Sequence, residues 1–419
     1  MNRKNALRKA LVNGLKRNRV VTSKRVERAF GAVPRHSFVP TVSPEQAYQD
    51  QVVVVKVDEE GYPISSSSQP TMMAIMLEQL NLRQGMRVLE IGTGSGYNAA
   101  LMAHIVGDSG HVVSIDIDDD LVSAAQSHLV ASGYDKNVTL VTADGVAGYP
   151  KGAPYDRIIL TAAGWDISPA WDAQLKPDGL IVMPIVLNQV QFSVTFKRQG
   201  DEYVSQSITR CRFMPMRGDL PGRSYAVTLQ LAPEVSLTMT TSDEQAPLID
   251  VDTVNDWLLH PQNDINTGFI LQGNDLAGLK IVELMTDAKP LHHCDLYATG
   301  NATETGLFPY FMGSTTTMRQ TNCVINENGL MALMRPPNTP IPQKPDFTSA
   351  FPLWIRTYGT SGDNLAQEYI ALLKAWDHIG RPDDNKLSIK IIPKDRHIPL
   401  SPYVYVLQKK WNQAILTFY

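Results

Sequence analysis

The run Glu90-Ile91-Gly92-Thr93-Gly94-Ser95-Gly96-Tyr97 has the residue types of a turn that cradles a ligand. Glycines at 92, 94 and 96 let a backbone turn tightly and bring its amides close to a ligand at a helix start. The spacing is Gly-x-Gly-x-Gly, not Gly-x-Gly-x-x-Gly, which disfavours a dinucleotide pyrophosphate. Downstream, Asp116 is placed to accept hydrogen bonds from both hydroxyls of a ribose. Asp144-Gly145 would then set a carboxylate near an adenine amino group. Loop, ribose acid and adenine acid in this order, each at the end of a strand, predict an S-adenosyl-L-methionine site. Either acid could instead cap a following helix, but three features in register favour the ligand.

Such a loop needs a parallel sheet behind it. From residue 86 to about 185, β-branched runs alternate with helical patterns, the signature of βαβ units. Strands are expected at 86–91, 111–115, 138–141, 156–160 and 180–184, and helices at 98–106 and 119–132. Two further strands, 191–197 and 204–213, should form an antiparallel edge hairpin turning at Gln199-Gly200-Asp201. Residues 216–223 read as a linker. Beyond it, the six prolines within 335–352 predict an extended connection. A helix then shows Leu365, Tyr369, Leu372, Leu373, Trp376 and Ile379 on one face, with polar residues 361–364 before it and Gly380 closing it. A strand is expected at 386–393. The expected architecture is α/β: a Rossmann-like methyltransferase domain over 1–220 and an α+β accessory domain over 221–419.

Several further motifs carry a family resemblance. They are Phe30-Gly31-Ala32-Val33-Pro34-Arg35-His36-Ser37-Phe38-Val39-Pro40, Ala47-Tyr48-Gln49-Asp50, Ser68-Gln69-Pro70, the glycine loop and Arg212-Phe213-Met214-Pro215-Met216. In this order over about half the chain, the sequence resembles the protein-L-isoaspartate O-methyltransferases. The resemblance implies that the Ser68 hydroxyl sits between methyl donor and acceptor carboxylate. It also implies that Glu90, Gly92, Thr93, Gly94 and Gly96 form the loop holding S-adenosylmethionine, with Asp116, Asp144 and Gly145 at ribose and adenine. Phe213 and Met214 would flank the substrate backbone on a strand. Ser67 stands where the repair enzymes usually carry isoleucine, giving a smaller and more polar wall. The long second half resembles homologues that tailor ribosomally made peptides. The expected substrate is therefore an aspartate of a modified, cyclised precursor peptide, ending as succinimide or isoaspartate. Repair of isoaspartyl proteins is the alternative.

The remaining composition narrows the class. The 419 residues are 43% hydrophobic and 19% charged, enough apolar material for two sizeable cores. No apolar run approaches the roughly 20 residues of a membrane span, and no secretory signal is visible. Cys211, Cys294 and Cys323 lie far apart, which suits a cytoplasmic setting. Residues 1–28 carry a net +9 and the remainder −13. With Leu7, Leu11 and Leu15 at four-residue spacing, the basic arm reads as an amphipathic helix, with an acidic peptide as the alternative use. His292-His293-Cys294-Asp295 has metal-ligand types, but adjacent positions rarely converge on one ion, so no metal is expected. Thr161-Ala162-Ala163-Gly164 lacks the Asn-Pro-Pro-Tyr pattern of base methylation. Neither nucleic acid nor membrane is an expected partner. His36 and His104 read as structural.

Overall fold

The computed structural model describes residues 3–59, 61, 63–187, 190–219, 225–232, 235–241, 250–272, 275–284, 292–299, 312–313, 318–337, 339, 349–398 and 404–418. The first half opens with helices α1 (Arg3–Arg17), α2 (Lys24–Ala32) and α3 (Pro44–Ala47). An antiparallel ribbon follows, β1 (Val53–Val57) and β2 (Pro63–Ser67). Next come α4 (Pro70–Leu80), β3 (Arg87–Ile91), α5 (Tyr97–Val106), β4 (His111–Asp116), α6 (Asp119–Ser132) and β5 (Val138–Thr142). The half closes with β6 (Tyr155–Leu160), α7 (Pro169–Gln174), β7 (Leu175–Leu187), β8 (Val190–Gln199) and β9 (Glu202–Arg210).

Strands β7, β6, β3, β4 and β5 lie side by side in parallel, with β8 and β9 added antiparallel beyond β7. Parallel strands covered on both faces are rich in apolar residues, and here Val88, Leu89, Ile91, Val112, Val113 and Ile115 are buried, with Glu90 and Ser114 as buried polar exceptions. Val88 and Val112 pack with Leu11, Phe30, Leu77 and Leu101 on one face. Leu89 and Val113 pack with Trp171 and Phe192 on the other. The basic arm is α1 and α2. Leu11, Val12 and Leu15 turn inward, while Arg3 pairs with Glu45 at 2.7 Å and Lys16 with Glu27 at 2.6 Å.

The second half contains β10 (Tyr225–Ala232), β11 (Val235–Thr241), α8 (Val251–Leu259), β12 (Asn263–Leu271), α9 (Asp275–Leu284), β13 (His292–Thr299) and β14 (Met312–Gly313). It continues with β15 (Met318–Asn326), β16 (Gly329–Met334), β17 (Phe351–Gly359), α10 (Gly362–His378), β18 (Leu387–Pro393), β19 (Val404–Gln408) and β20 (Asn412–Phe418). A second, antiparallel sheet runs β10-β11-β13-β15-β16-β17-β12, with β14 pairing β15. The expected apolar helix is α10, with Leu365, Tyr369, Leu373 and Trp376 buried. Residues 220–223 of the expected linker, and 338 and 340–348 of the proline-rich stretch, lie outside the described residues.

Backbone pairing crosses the expected division at residue 220. Strands β18, β20 and β19 extend the first sheet rather than the second, with β18 pairing β9 at Lys390↔Val204 and Ile391↔Tyr203. An edge strand such as β9 presents unpaired amides and carbonyls, and a returning strand satisfies them. The return is pinned by Asp166, whose carboxylate is fully buried. It accepts hydrogen bonds from the amides of Trp411 (2.7 Å), Asn412 (3.2 Å) and Ile167 (2.8 Å), and from Asn412 Nδ2 (2.7 Å).

Candidate active site

A cavity of about 880 Å³ opens where β3 and β4 end. Gly92, Thr93 and Gly94 form part of its floor. Gly92 has φ +101°, and a Cβ there would stand 2.4 Å from Thr161 Oγ1, so only glycine makes this turn. Gly94 donates its amide to Asp116 Oδ2 at 2.9 Å, and Asp118 donates to Oδ1 at 3.3 Å. Each oxygen keeps a second lone pair, and burial pushes the Asp116 pKa up. Asp116 therefore braces the glycine loop and still faces the cavity. Gly145 lines it too, its carbonyl accepting from Trp171 Nε1 at 2.8 Å.

Three expected contact residues stand behind the wall. Glu90 is fully buried; Asn98 Nδ2 donates to Oε1 at 2.7 Å and Ser114 Oγ to Oε2 at 2.6 Å. Burial pushes its pKa up to about 7, against those two hydrogen bonds and aided by the nearby charge of Asp116. Gly96 is the N-cap of α5 with φ +81°, where a Cβ would crowd Ala125 at 3.0 Å. Asp144 caps the short turn Gly145–Ala147 by accepting from the Val146 amide at 2.9 Å, and it also accepts from the Asp219 amide at 2.7 Å. Asp144 thus caps a short turn, whereas the helix after Asp116 has Asp118 at its N-cap.

On the other side of the cavity, Ser67 and Ser68 lie at the junction of β2 and α4. The N-cap of α4 is Gln69, with no side-chain cap, and the helix start is held by Asp50. Its Oδ1 accepts from the Thr71 amide at 2.8 Å and its Oδ2 from Thr71 Oγ1 at 2.6 Å. Ser68 is thus relieved of capping. Sequence reasoning used Arg35 only as part of a motif, and its structural part was missed. Its guanidinium, fully buried, donates to the carbonyls of Ala47, Gln49, Gln51, Ser67 and Ser68 at 3.0–3.3 Å. A cation serving five carbonyls from two segments, 47–51 and 67–68, leaves no periodic signal in sequence.

Phe213 and Met214 also line the cavity, but not on a strand. The expected strand 204–213 stops at Arg210, because Gln191 takes over the pairing. Gln191 Oε1 accepts from the Phe213 amide at 2.7 Å, and Met214 O accepts from the Ala163 amide at 2.8 Å. His36 and His104 are held by tyrosines, Tyr48 OH at 2.8 Å and Tyr134 OH at 3.3 Å, and burial lowers both pKa values. Among the described residues no group of three or more His, Cys, Asp or Glu is placed to hold a metal, and no helix is long and apolar enough to cross a membrane.

The residues present fit S-adenosylmethionine. A glycine turn and the carboxylate of Asp116 meet in one cavity, and two buried polar atoms on its wall, Ser67 Oγ and Trp165 Nε1, have no partner. Rossmann-like sheet and site together define an S-adenosylmethionine-dependent methyltransferase. The family model described as protein-L-isoaspartate(D-aspartate) O-methyltransferase (PCMT) matches residues 5–220. A protein-L-isoaspartate O-methyltransferase of Hyperthermus butylicus is 40% identical over 233 residues, covering 54% of this chain and 94% of that protein. Protein-L-isoaspartate O-methyltransferase 2 of Archaeoglobus fulgidus is 42% identical over 197 residues, covering 47% and 87%. A solved protein-L-isoaspartate O-methyltransferase structure aligns with TM-score 0.50 and 25% identity over 91% of this chain and 96% of its own. The chain belongs to the protein-L-isoaspartate(D-aspartate) O-methyltransferase family. The last likeness runs well past residue 220, so a long second half is not in itself a mark of peptide tailoring.

Proposed function

We propose that the chain methylates a carboxylate of an isoaspartyl residue in a polypeptide, the activity for which its relatives are named. One observation carries the reading: the Ser68 hydroxyl, relieved of capping, shares a cavity with the glycine loop, Asp116, Phe213 and Met214. The acceptor carboxylate, with an ordinary pKa of about 4, is already an anion at neutral pH and needs no general base. Bound S-adenosylmethionine supplies a sulfonium-activated methyl group. Ser68 donates a hydrogen bond that orients the acceptor carboxylate, Arg35 and Asp50 hold Ser68 in place, and Phe213 and Met214 exclude water. Alignment of this kind can be worth ~7–11 kcal/mol. The cysteines are not all far apart in space, because pairing of β13 with β15 sets Cys294 directly opposite Cys323; all three thiols are free.

Ser68→Ala should lower kcat about tenfold or more while changing S-adenosylmethionine affinity less than about twofold, the pattern of a lost transition-state contact. Equal turnover by mutant and parent would sink the assignment. A second reading, methylation of an aspartate in a cyclised, ribosomally made precursor peptide, draws support from Ser67. Its buried hydroxyl, without a partner, replaces an apolar wall with a polar one. Rates on an isoaspartyl peptide, a linear precursor and a cyclised precursor, read by mass shift, separate the two readings. Fastest turnover of the cyclised peptide would favour tailoring.

A further inference from the structure

The cavity has a wall that methyl transfer does not use. Asp295 and Tyr297 of β13 and Gln320 of β15 line it, although they lie far from the glycine loop in sequence. The strand pleat explains their direction. Cys294, Leu296 and Ala298 alternate with them and are buried in the apolar core of the second sheet, so Asp295 and Tyr297 project from the opposite face. Antiparallel pairing sets Gln320 opposite Tyr297 and Asn322 opposite Asp295.

The Asp295 carboxylate is held in a fixed orientation by neutral groups. Asn322 Nδ2 donates to Oδ1 at 2.6 Å and Tyr297 OH donates to Oδ2 at 3.3 Å. No cation among the described residues pairs with it. On the first-half side of the same cavity, Arg210 is tied to Asp384 and Arg217 to Asp118. Arg212 is exposed there, with no carboxylate partner among the described residues. The cavity thus carries an oriented anion on one half of the chain and an unpaired cation on the other. A small methyl acceptor alone needs neither.

We propose that the polar face of β13 and β15 is a recognition wall for the polypeptide flanking the acceptor residue, and that Asp295 selects a lysine or arginine in that flank. The proposal rests on the isoaspartyl reading above. A preorganised, half-buried carboxylate rewards a cation and penalises a like charge, which sets specificity more than raw affinity. Tyr297 and Gln320 add hydrogen-bonding atoms that suit a peptide backbone of any sequence.

The test uses the full chain and pairs of short isoaspartyl peptides that differ only in lysine or glutamate beside the acceptor. The parent should show a lower KM for the lysine peptide, and this preference should shrink as salt rises to roughly 0.5 M. Asp295→Asn should raise KM for the lysine peptide roughly three- to tenfold, the scale of one charge-assisted hydrogen bond at a partly wet site. Its kcat and its affinity for S-adenosylmethionine should stay within about twofold of the parent, because Asp295 touches no reacting atom. Equal KM changes on both peptides, or no salt-sensitive preference in the parent, would overturn the proposal even if Asp295→Asn failed to fold. A parent that methylates neither peptide would instead overturn the isoaspartyl reading and this inference with it.

Discussion

Glu90→Gln should abolish a pH dependence of stability that the parent carries. Glu90 is fully enclosed, and burial raises its pKa from 4.5 to about 7. The unfolded chain releases this proton near 4.5, while the native state keeps it until about 7. The native state therefore binds the extra proton between those values. Its stabilising effect is fully present below pH 4.5 and is lost as pH rises to 7, after which it stays constant. The gap between 4.5 and about 7, at about 1.4 kcal/mol per pH unit, amounts to ~3 kcal/mol for a group with no exposure. Glutamine keeps the hydrogen-bonded shape: its oxygen accepts from Asn98 Nδ2, and its amide donates to Ser114 Oγ, which also faces Thr93 Oγ1 at 2.7 Å. It has no proton to lose. Urea unfolding followed by tryptophan fluorescence from about pH 4.5 to pH 8 should show Glu90→Gln gaining ~3 kcal/mol on the parent across that window. A constant difference between the two proteins, or a parent that gains on the mutant as pH rises, would refute the reasoning. The same burial bears on the site, since a neutral Glu90 relieves repulsion with Asp116 a few residues away in space.

Asp116→Ala should weaken S-adenosylmethionine binding by ~1–3 kcal/mol in calorimetry, the range for hydrogen bonds to a charged group; unchanged affinity in a folded mutant would remove it from the site. Asp166→Ala should destabilise the whole chain by ~3 kcal/mol or more, because the half-buried amides of Trp411 and Asn412 and the Ile167 amide lose their buried acceptor. A loss below about 1 kcal/mol would show that the return of β18–β20 does not depend on this anchor.

By itself the sequence determined the parallel sheet and the position of its glycine loop. β-Branched apolar residues alternating with helical patterns marked 86–91 and 111–115 as strands, and at Gly92 a φ of +101° beside Thr161 leaves no room for a side chain, so both carried their own signatures. The apolar face of α10 was legible for the same kind of reason, a 3.6-residue period over a long stretch. Contacts between distant segments have no period and leave no such trace. Arg35 gathering five carbonyls, Asp50 taking the cap from Ser68, and Asp144 turned to the Asp219 amide are each settled by where the segments meet in space. The end of β9 at Arg210 was set by Gln191, a side chain on the neighbouring strand. Residue 220 looked like a division because composition changes there. Only the tertiary structure decided that the last strands would satisfy the open edge of β9, and that Asp295 and Tyr297 would face the cavity built by the first half. Edge pairing is chosen by whichever backbone can reach the unpaired amides, and that is a property of the folded chain rather than of any local run of residues.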